Sequence, residues 1–123
     1  MAVQESGEMY LETILILSQT NSHVRAIDIG EALGYSKPSV SRAMGLLRSQ
    51  GFIEVDAAGY ITLTKLGKER AESIYDRHTT LTKVFLSLGV DEKNASEDAC
   101  KIEHYISEET FRAIKEHLKQ YEK

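Results

Sequence analysis

The sequence predicts a mostly α-helical protein with a small β-wing, in which an N-terminal winged helix-turn-helix is followed by a helical lobe. Three observations support this fold class. Two short helical segments flank a turn that contains Gly34. Two β-favouring runs joined by a glycine-containing turn come next, and the rest of the chain has apolar residues at helical spacing. These signals follow the order expected for a helix-turn-helix, a wing and a second lobe.

The N-terminal helices are predicted from apolar runs and capping residues. Residues 9–18 are almost all apolar and predict a mostly buried helix. Residues 26–33 predict a second helix, which ends at the turn glycine because glycine readily adopts the left-handed conformation. Ser36 is a suitable N-cap for a third helix over about 37–50, and Pro38 in its first turn interrupts no intrahelical hydrogen bond.

A hairpin is predicted directly after the third helix. Residues 52–55 and 60–64 favour strands, and the four residues between them end in Gly59, at a position that requires positive φ. A hairpin at this place is typical of the wing of a winged helix.

Positive charge is concentrated on the third predicted helix. The chain of 123 residues has 15 Lys and Arg against 19 Asp and Glu, so its net charge is −4 and it is not a uniformly basic nucleic-acid binder. The segment from Ser36 to Arg48 nevertheless carries Lys37, Arg42 and Arg48 and no acid. Such local asymmetry indicates a DNA-binding surface. The alternative is that these three residues form an ordinary solvated helix face.

The second half of the chain predicts three helices. Residues 65–88 repeat apolar positions every three or four residues, and at 1.5 Å per residue this helix would span about 36 Å. That length exceeds what a small lobe needs and favours a connection to a dimer surface. Another helix is predicted from a cap at Asn94 or Ser96 to about Tyr105, and a last one over 110–121.

Three potential metal ligands are clustered near the end of the chain. Cys100, Glu103 and His104 are spaced i, i+3 and i+4, so on a helix they share one face. A thiolate, a carboxylate and an imidazole together are suitable ligands for a first-row metal. One alternative is a solvated Glu–His pair beside a buried cysteine. Another is a Cys–His nucleophile, but nothing nearby indicates an oxyanion hole or an orienting third residue.

Further candidate ligands lie on two other predicted helices. Met9 and Glu12 form an i, i+3 pair, and Glu12 interrupts an apolar run in which a buried carboxylate would need a partner or a cation. His78 lies on the apolar stripe of the long helix. A core role remains the alternative for Met9 and for His78.

Four segments of the chain resemble the diphtheria toxin repressor and manganese transport regulator family of metal-dependent repressors. They are EMYLETI at 8–14, RAIDIGEALGYSKPSVSR at 25–42, DRH at 76–78 and DACKIEH at 98–104. The resemblance covers essentially the whole chain. It implies a homodimer that binds double-stranded operator DNA when loaded with iron(II) or manganese(II), and that represses metal-uptake genes.

The resemblance also implies a role for individual positions. The implied metal ligands are Met9, Glu12, His78, Cys100, Glu103 and His104. The implied DNA-facing residues are Ser36, Lys37, Pro38, Ser39 and Arg42. The chain is accordingly expected to divide into a winged helix-turn-helix DNA-binding domain, residues 1–64, and a helical metal-binding and dimerisation domain, residues 65–123.

The metal expected for this chain depends on where its residues differ from those of the manganese-type and iron-type members. Manganese-type members share this chain's length, without an appended SH3-like domain, but they carry acids where this chain has Met9 and Cys100. These two soft donors resemble the iron-type set, so iron(II) is the expected effector, manganese(II) the alternative, and cobalt(II) or nickel(II) active in vitro. Thr82 and Ser96 replace a glutamate and a histidine of the iron-type ancillary site, so a complete ancillary site is not expected.

Other classes of protein are less consistent with this sequence. One alternative is a winged-helix regulator gated by a small organic ligand or by oxidation of Cys100; an enzyme with a small organic substrate is not expected. The chain contains no run of about 20 apolar residues and no signal-peptide pattern, so a cytoplasmic location without a membrane partner is expected. A single cysteine excludes an intramolecular disulfide.

Overall fold

The computed structural model describes residues 5–121 and confirms the predicted fold class. The chain forms two compact units, one extending to Glu72 and the other beginning at Ser73. Helix α4 begins in the first unit and continues in the second. The elements in the described residues are α1 Glu5–Ser18, α2 Ala26–Leu33, α3 Lys37–Ser49, β1 Ile53–Val55, β2 Ile61–Leu63, α4 Lys65–Ser87, α5 Glu92–Ile102 and α6 Glu108–Tyr121.

The first unit packs three helices and a hairpin around one apolar core. Leu11 and Ile14 of α1 are fully buried, together with Ile29 of α2. Val40 and Leu47, one on each side of the middle of α3, complete this centre and are 1% exposed. Because these positions recur every three or four residues, each helix buries one face and leaves the other in solvent.

The turn between α2 and α3 is held by backbone and side-chain caps. Gly34 has φ of 72° and its amide donates to the Gly30 carbonyl at 2.8 Å, which ends α2 in the left-handed conformation. The Ser36 hydroxyl accepts from the Ser39 amide at 3.3 Å and donates to the Ser39 hydroxyl at 2.8 Å. The predicted helix-turn-helix and its cap at Ser36 are therefore confirmed.

The wing is an antiparallel hairpin of β1 and β2, with Ile53 opposite Leu63 and Val55 opposite Ile61. Its turn is organised by Asp56, whose Oδ1 accepts from the amides of Ala58 and Tyr60 at 2.9 Å each. Gly59 has φ of 86°, as the turn requires.

The second unit consists of the rest of α4, α5 and α6. Ile74 and Leu81 of α4 are 2% exposed, and Ala95 and Ala99 of α5 are fully buried. Phe111 of α6 is also buried. No helix in the described residues is both long enough and apolar enough to cross a membrane.

Both predicted ends of the helix that contains Cys100 are wrong. The N-cap is Asp91, whose carboxylate accepts from the Asn94 amide at 3.1 Å, so α5 begins earlier than a cap at Asn94 or Ser96 would allow. At the other end, α5 stops at Ile102 instead of continuing to Tyr105. Tyr105 turns back to the Ile102 carbonyl at 2.9 Å, and this tighter bond ends the regular helix.

Candidate metal centre and DNA-binding surface

The second unit contains a buried carboxylate between two imidazoles. Glu103 is fully buried, and its Oε2 lies 2.9 Å from His78 Nδ1. Its Oε1 lies 3.3 Å from His104 Nε2. The His104 side chain is also fully buried, whereas that of His78 is 24% exposed. Three of the six residues implied as metal ligands are therefore brought together.

One oxygen of this carboxylate lacks a hydrogen bond within the described part of the chain. Glu103 Oε1 is buried, and its approach to the neighbouring imidazole does not have hydrogen-bond geometry. A buried carboxylate oxygen in that condition is destabilising unless a cation compensates it. Because carboxylates and imidazoles are ligands for divalent metals, these residues fit a metal centre.

Arg77 fixes the turn that carries Glu103 and His104. Its Nη1 donates to the Glu103 carbonyl at 3.2 Å and to the Ile106 carbonyl at 2.8 Å. Its guanidinium also lies 5.4 Å from the ring centre of Phe111. Arg77 therefore holds the turn against α4, next to His78. The DRH motif contained Arg77, but no local pattern indicated that it binds carbonyls more than 20 residues away.

Cys100 is half-buried on α5, one turn before Glu103. Among the described residues, Cys100, Glu103 and His104 do not form a group in which all the ligand atoms lie within 4.8 Å of one another. Glu103 follows the last residue of α5, and its amide still donates to the Ala99 carbonyl at 2.9 Å.

Met9 and Glu12 lie on α1 in the first unit. Glu12 is 8% exposed, whereas Met9 is half-buried. The Met9 sulfur accepts a hydrogen bond from the Tyr35 hydroxyl at 3.1 Å. Sequence reasoning did not identify this contact, since the two residues are 26 positions apart and no periodicity relates them.

The predicted DNA-facing residues line the start of α3. Ser36, Lys37, Pro38 and Arg42 are exposed, and Ser39 is half-buried. A helix N-terminus presents unpaired backbone amides, which favour phosphate.

Tyr10 lies beneath this surface. Burial raises the pKa of Tyr10 above its ordinary value, the neighbouring Tyr35 adds to the increase, and the positive charge of Arg42 opposes it. Tyr10 therefore remains a neutral support for the turn at physiological pH, with its ring edge-to-face to Tyr35 at a centroid distance of 5.7 Å.

Models of two domain families match nearly the whole chain. The N-terminal DNA binding domain of iron dependent repressors matches residues 2–60, and their metal binding and dimerisation domain matches residues 64–123. The chain belongs to the iron-dependent repressor family. The resemblance found in the four sequence segments is thus confirmed, and the protein is a metal-dependent transcriptional repressor that binds DNA and dimerises, not an enzyme.

Individual relatives of this chain agree with the family assignment. An uncharacterised HTH-type transcriptional regulator of Methanocaldococcus jannaschii is 34% identical over 97% of each chain. The transcriptional regulator MntR of Escherichia coli is 33% identical over 86% of this chain and 68% of its own. A manganese-dependent transcriptional repressor solved in complex with manganese has the same fold, with a TM-score of 0.84 and 24% identity over 91% of this chain and 52% of that one.

Proposed function

We propose that this repressor responds to iron(II) and, as a homodimer, represses metal-uptake genes by binding double-stranded operator DNA in the cytoplasm. The proposed metal ligands are Met9, Glu12, His78, Cys100, Glu103 and His104. The proposed DNA-contacting residues are Ser36, Lys37, Pro38, Ser39 and Arg42. Residues 1–64 would then act as the DNA-binding domain and residues 65–123 as the metal-binding and dimerisation domain.

The buried Glu103 carboxylate carries the metal part of this proposal. It is fully buried, and it lies within 3.3 Å of both the His78 and the His104 ring nitrogens. A bound divalent cation supplies the positive charge that a desolvated carboxylate requires. His78 and Glu103 already orient one another through their 2.9 Å contact, and Arg77 fixes the backbone of the turn.

The preference for iron(II) follows from the chemistry of the donor set. Manganese(II) favours carboxylate, carbonyl and water ligands, whereas thioether and thiolate sulfur suit iron(II) and later ions better. Met9 and Cys100 are both sulfur donors. Cobalt(II) and nickel(II) have a higher intrinsic affinity than iron(II) for a given site, so they are expected to activate the protein in vitro. In cells, the availability of iron is expected to make iron(II) the effector.

The experiment that tests this proposal is operator binding measured anaerobically at buffered free concentrations of each metal. We expect iron(II) to activate DNA binding at a lower free concentration than manganese(II). Activation by manganese at the lower concentration, with derepression in cells on manganese starvation alone, would refute the iron assignment and leave the repressor assignment intact. Absence of a response to every divalent ion would refute the proposed metal site.

A further inference from the structure

The first unit contains a hydrogen bond that joins a proposed metal ligand to the turn before α3. The Tyr35 hydroxyl donates to Met9 Sδ at 3.1 Å. Tyr35 lies between the end of α2 and Ser36, the N-cap of α3. The two residues are joined through side chains only, across a separation of 26 positions.

Tyr35 is itself held in place from two directions. Its amide donates to the Gly30 carbonyl at 3.1 Å, which ties its backbone to the end of α2. Its ring contacts the ring of Tyr10 edge-to-face, at a centroid distance of 5.7 Å. Tyr10 is 5% exposed and belongs to the core cluster of the unit. The hydroxyl that reaches Met9 therefore projects from a fixed ring.

Methionine is a flexible ligand, and this contact restricts it. The side chain has three rotatable bonds, and immobilising it costs rotamer entropy. A hydroxyl that already holds the sulfur removes part of that cost before a metal arrives. The thioether sulfur has two lone pairs, so accepting one hydrogen bond leaves the second available as a metal donor.

We propose that Tyr35 is a positioning residue for Met9, and that by holding the thioether sulfur it strengthens binding of sulfur-preferring metals over manganese(II). This inference rests on the proposed role of Met9 as a metal ligand. A contact to a soft donor affects only those ions that gain from that donor, so its loss should change selectivity rather than lower all metal affinities equally.

The test compares Tyr35→Phe with the unchanged protein, using competition with a chelator in the absence of DNA. The substitution removes the hydroxyl and retains the ring against Tyr10. We expect affinity for cobalt(II) and anaerobic iron(II) to fall about two- to tenfold, the range of one net hydrogen bond, with manganese(II) affinity unchanged. Equal losses for all three ions, or no loss for any, would overturn the proposal.

Two further variants separate positioning from a general effect of losing a hydroxyl. Tyr60→Phe is the matched control in the same unit, since its hydroxyl accepts from Arg25 at 3.0 Å and does not contact Met9; its metal selectivity should equal that of the unchanged protein. In a Met9→Leu background, adding Tyr35→Phe should have no further effect on any metal. A persistent effect there would show that Tyr35 acts through another group and would overturn the proposal.

The outcomes distinguish this inference from the proposed function. If the unchanged protein binds no divalent ion, both the metal site and the role of Tyr35 are refuted. If it binds metal and Tyr35→Phe has the same affinities, only the role of Tyr35 is refuted.

Discussion

Glu103 concentrates the chemistry of the second unit in one side chain. Its carboxylate is fully buried, and its two oxygens face different imidazoles at 2.9 and 3.3 Å. Desolvation of such a carboxylate is costly unless hydrogen bonds and opposite charge compensate it. The position is thus better suited to binding a cation than to maintaining the fold.

Replacing Glu103 by glutamine should remove the response to metal. Glutamine has nearly the same shape but no negative charge, so it loses the main electrostatic attraction for a divalent ion. A ligand that binds only the native state stabilises it by about 2.7 kcal/mol at a hundredfold excess over its dissociation constant. We expect metal to raise the melting temperature of the unchanged protein and not that of Glu103→Gln.

Glu97→Gln is the control for this measurement, since Glu97 is an exposed acid on the same helix, α5. It should retain the full melting-temperature increase with metal. If Glu103→Gln also retained that increase, Glu103 would not be a ligand.

Arg42 and Lys37 should affect DNA binding in different ways. Arg42 is exposed one turn into α3, where a guanidinium can bind a guanine edge in the major groove. Arg42→Ala is expected to cost about 1–3 kcal/mol and to relax base preference at one position in each half-site. Lys37→Ala should weaken binding to all sequences. It should also reduce the slope of log affinity against log salt concentration by about one. Binding to a panel of single-base operator variants at several salt concentrations distinguishes them; the reverse pattern would contradict the placement of α3 in the groove.

At the scale of elements, the contact between α4 and the wing leaves no space for a side chain at Gly67. A Cβ at Gly67 would lie 1.9 Å from the Phe52 carbonyl oxygen and 2.8 Å from its carbonyl carbon. Both are backbone atoms just before β1, so they cannot move without displacing the hairpin. Gly67 thus allows the start of α4 to pack directly on the chain that enters the wing.

Gly67→Ala should destabilise the first unit by about 1–3 kcal/mol, the usual effect of overpacking. Gly45→Ala is the matched control, because Gly45 is an exposed residue of α3 and a Cβ there would meet no atom within 4 Å apart from its chain neighbours and the helix backbone. That change should stabilise the protein by about 0.5–1 kcal/mol, since alanine favours helix over glycine. Urea unfolding of both variants measures the difference, and equal stability of the two would contradict the close approach.

The cap of α5 should make stability depend on pH in the acid range. The pKa of Asp91 lies below its ordinary value because the Asn94 side chain, and then the Asn94 amide, donate hydrogen bonds to its carboxylate. A carboxylate with a lowered folded pKa stabilises the protein above its unfolded pKa of about 3.9, and this contribution disappears as pH falls through the lower folded value.

Asp91→Asn tests this expectation, since asparagine also caps helices but has no charge. The unchanged protein should melt at a higher temperature than Asp91→Asn at neutral pH, and the difference should shrink as the pH falls below about 4. A difference that stayed constant from pH 7 to pH 2 would show that the charge of Asp91 is not involved.

At the scale of the whole molecule, the proposed regulation requires a dimer in which the two copies of α3 match the operator. Half-sites of a palindromic operator are read about 34 Å apart, or at a multiple of that distance. If metal switches the dimer from 1:99 to 99:1 in favour of the DNA-binding state, the two states must differ in metal affinity by about 5.5 kcal/mol. A site with several ligands can supply this difference.

Operator spacing should therefore matter only when metal is present. Inserting five base pairs between the half-sites places them on opposite faces of the duplex. In the presence of metal, we expect the affinity for this operator to fall to the non-specific level, about 10³-fold or more below that for the unchanged operator. The same insertion outside the half-sites is the control. Unchanged affinity after the central insertion, measured by gel shift with and without metal, would indicate binding by independent monomers.

The sequence by itself determined the elements whose signals are local. The periodicity of 65–88 predicted the long helix α4, found at Lys65–Ser87, and Gly34 and Ser36 predicted the end of α2 and the start of α3. Glycine conformation and N-capping act within a few residues, so they can be recognised along the chain. The family resemblance also followed from ordered local motifs, and the family models confirmed it.

Only the tertiary structure decided how the candidate ligands are held. Spacing related Cys100 to Glu103 and His104 along one predicted helix, but it did not show that Arg77 of α4 binds the Glu103 and Ile106 carbonyls. The hydrogen bond from Tyr35 to Met9 and the close approach of Gly67 to Phe52 also join residues far apart in the sequence. Such contacts depend on packing between elements, which neither residue spacing nor helical periodicity specifies.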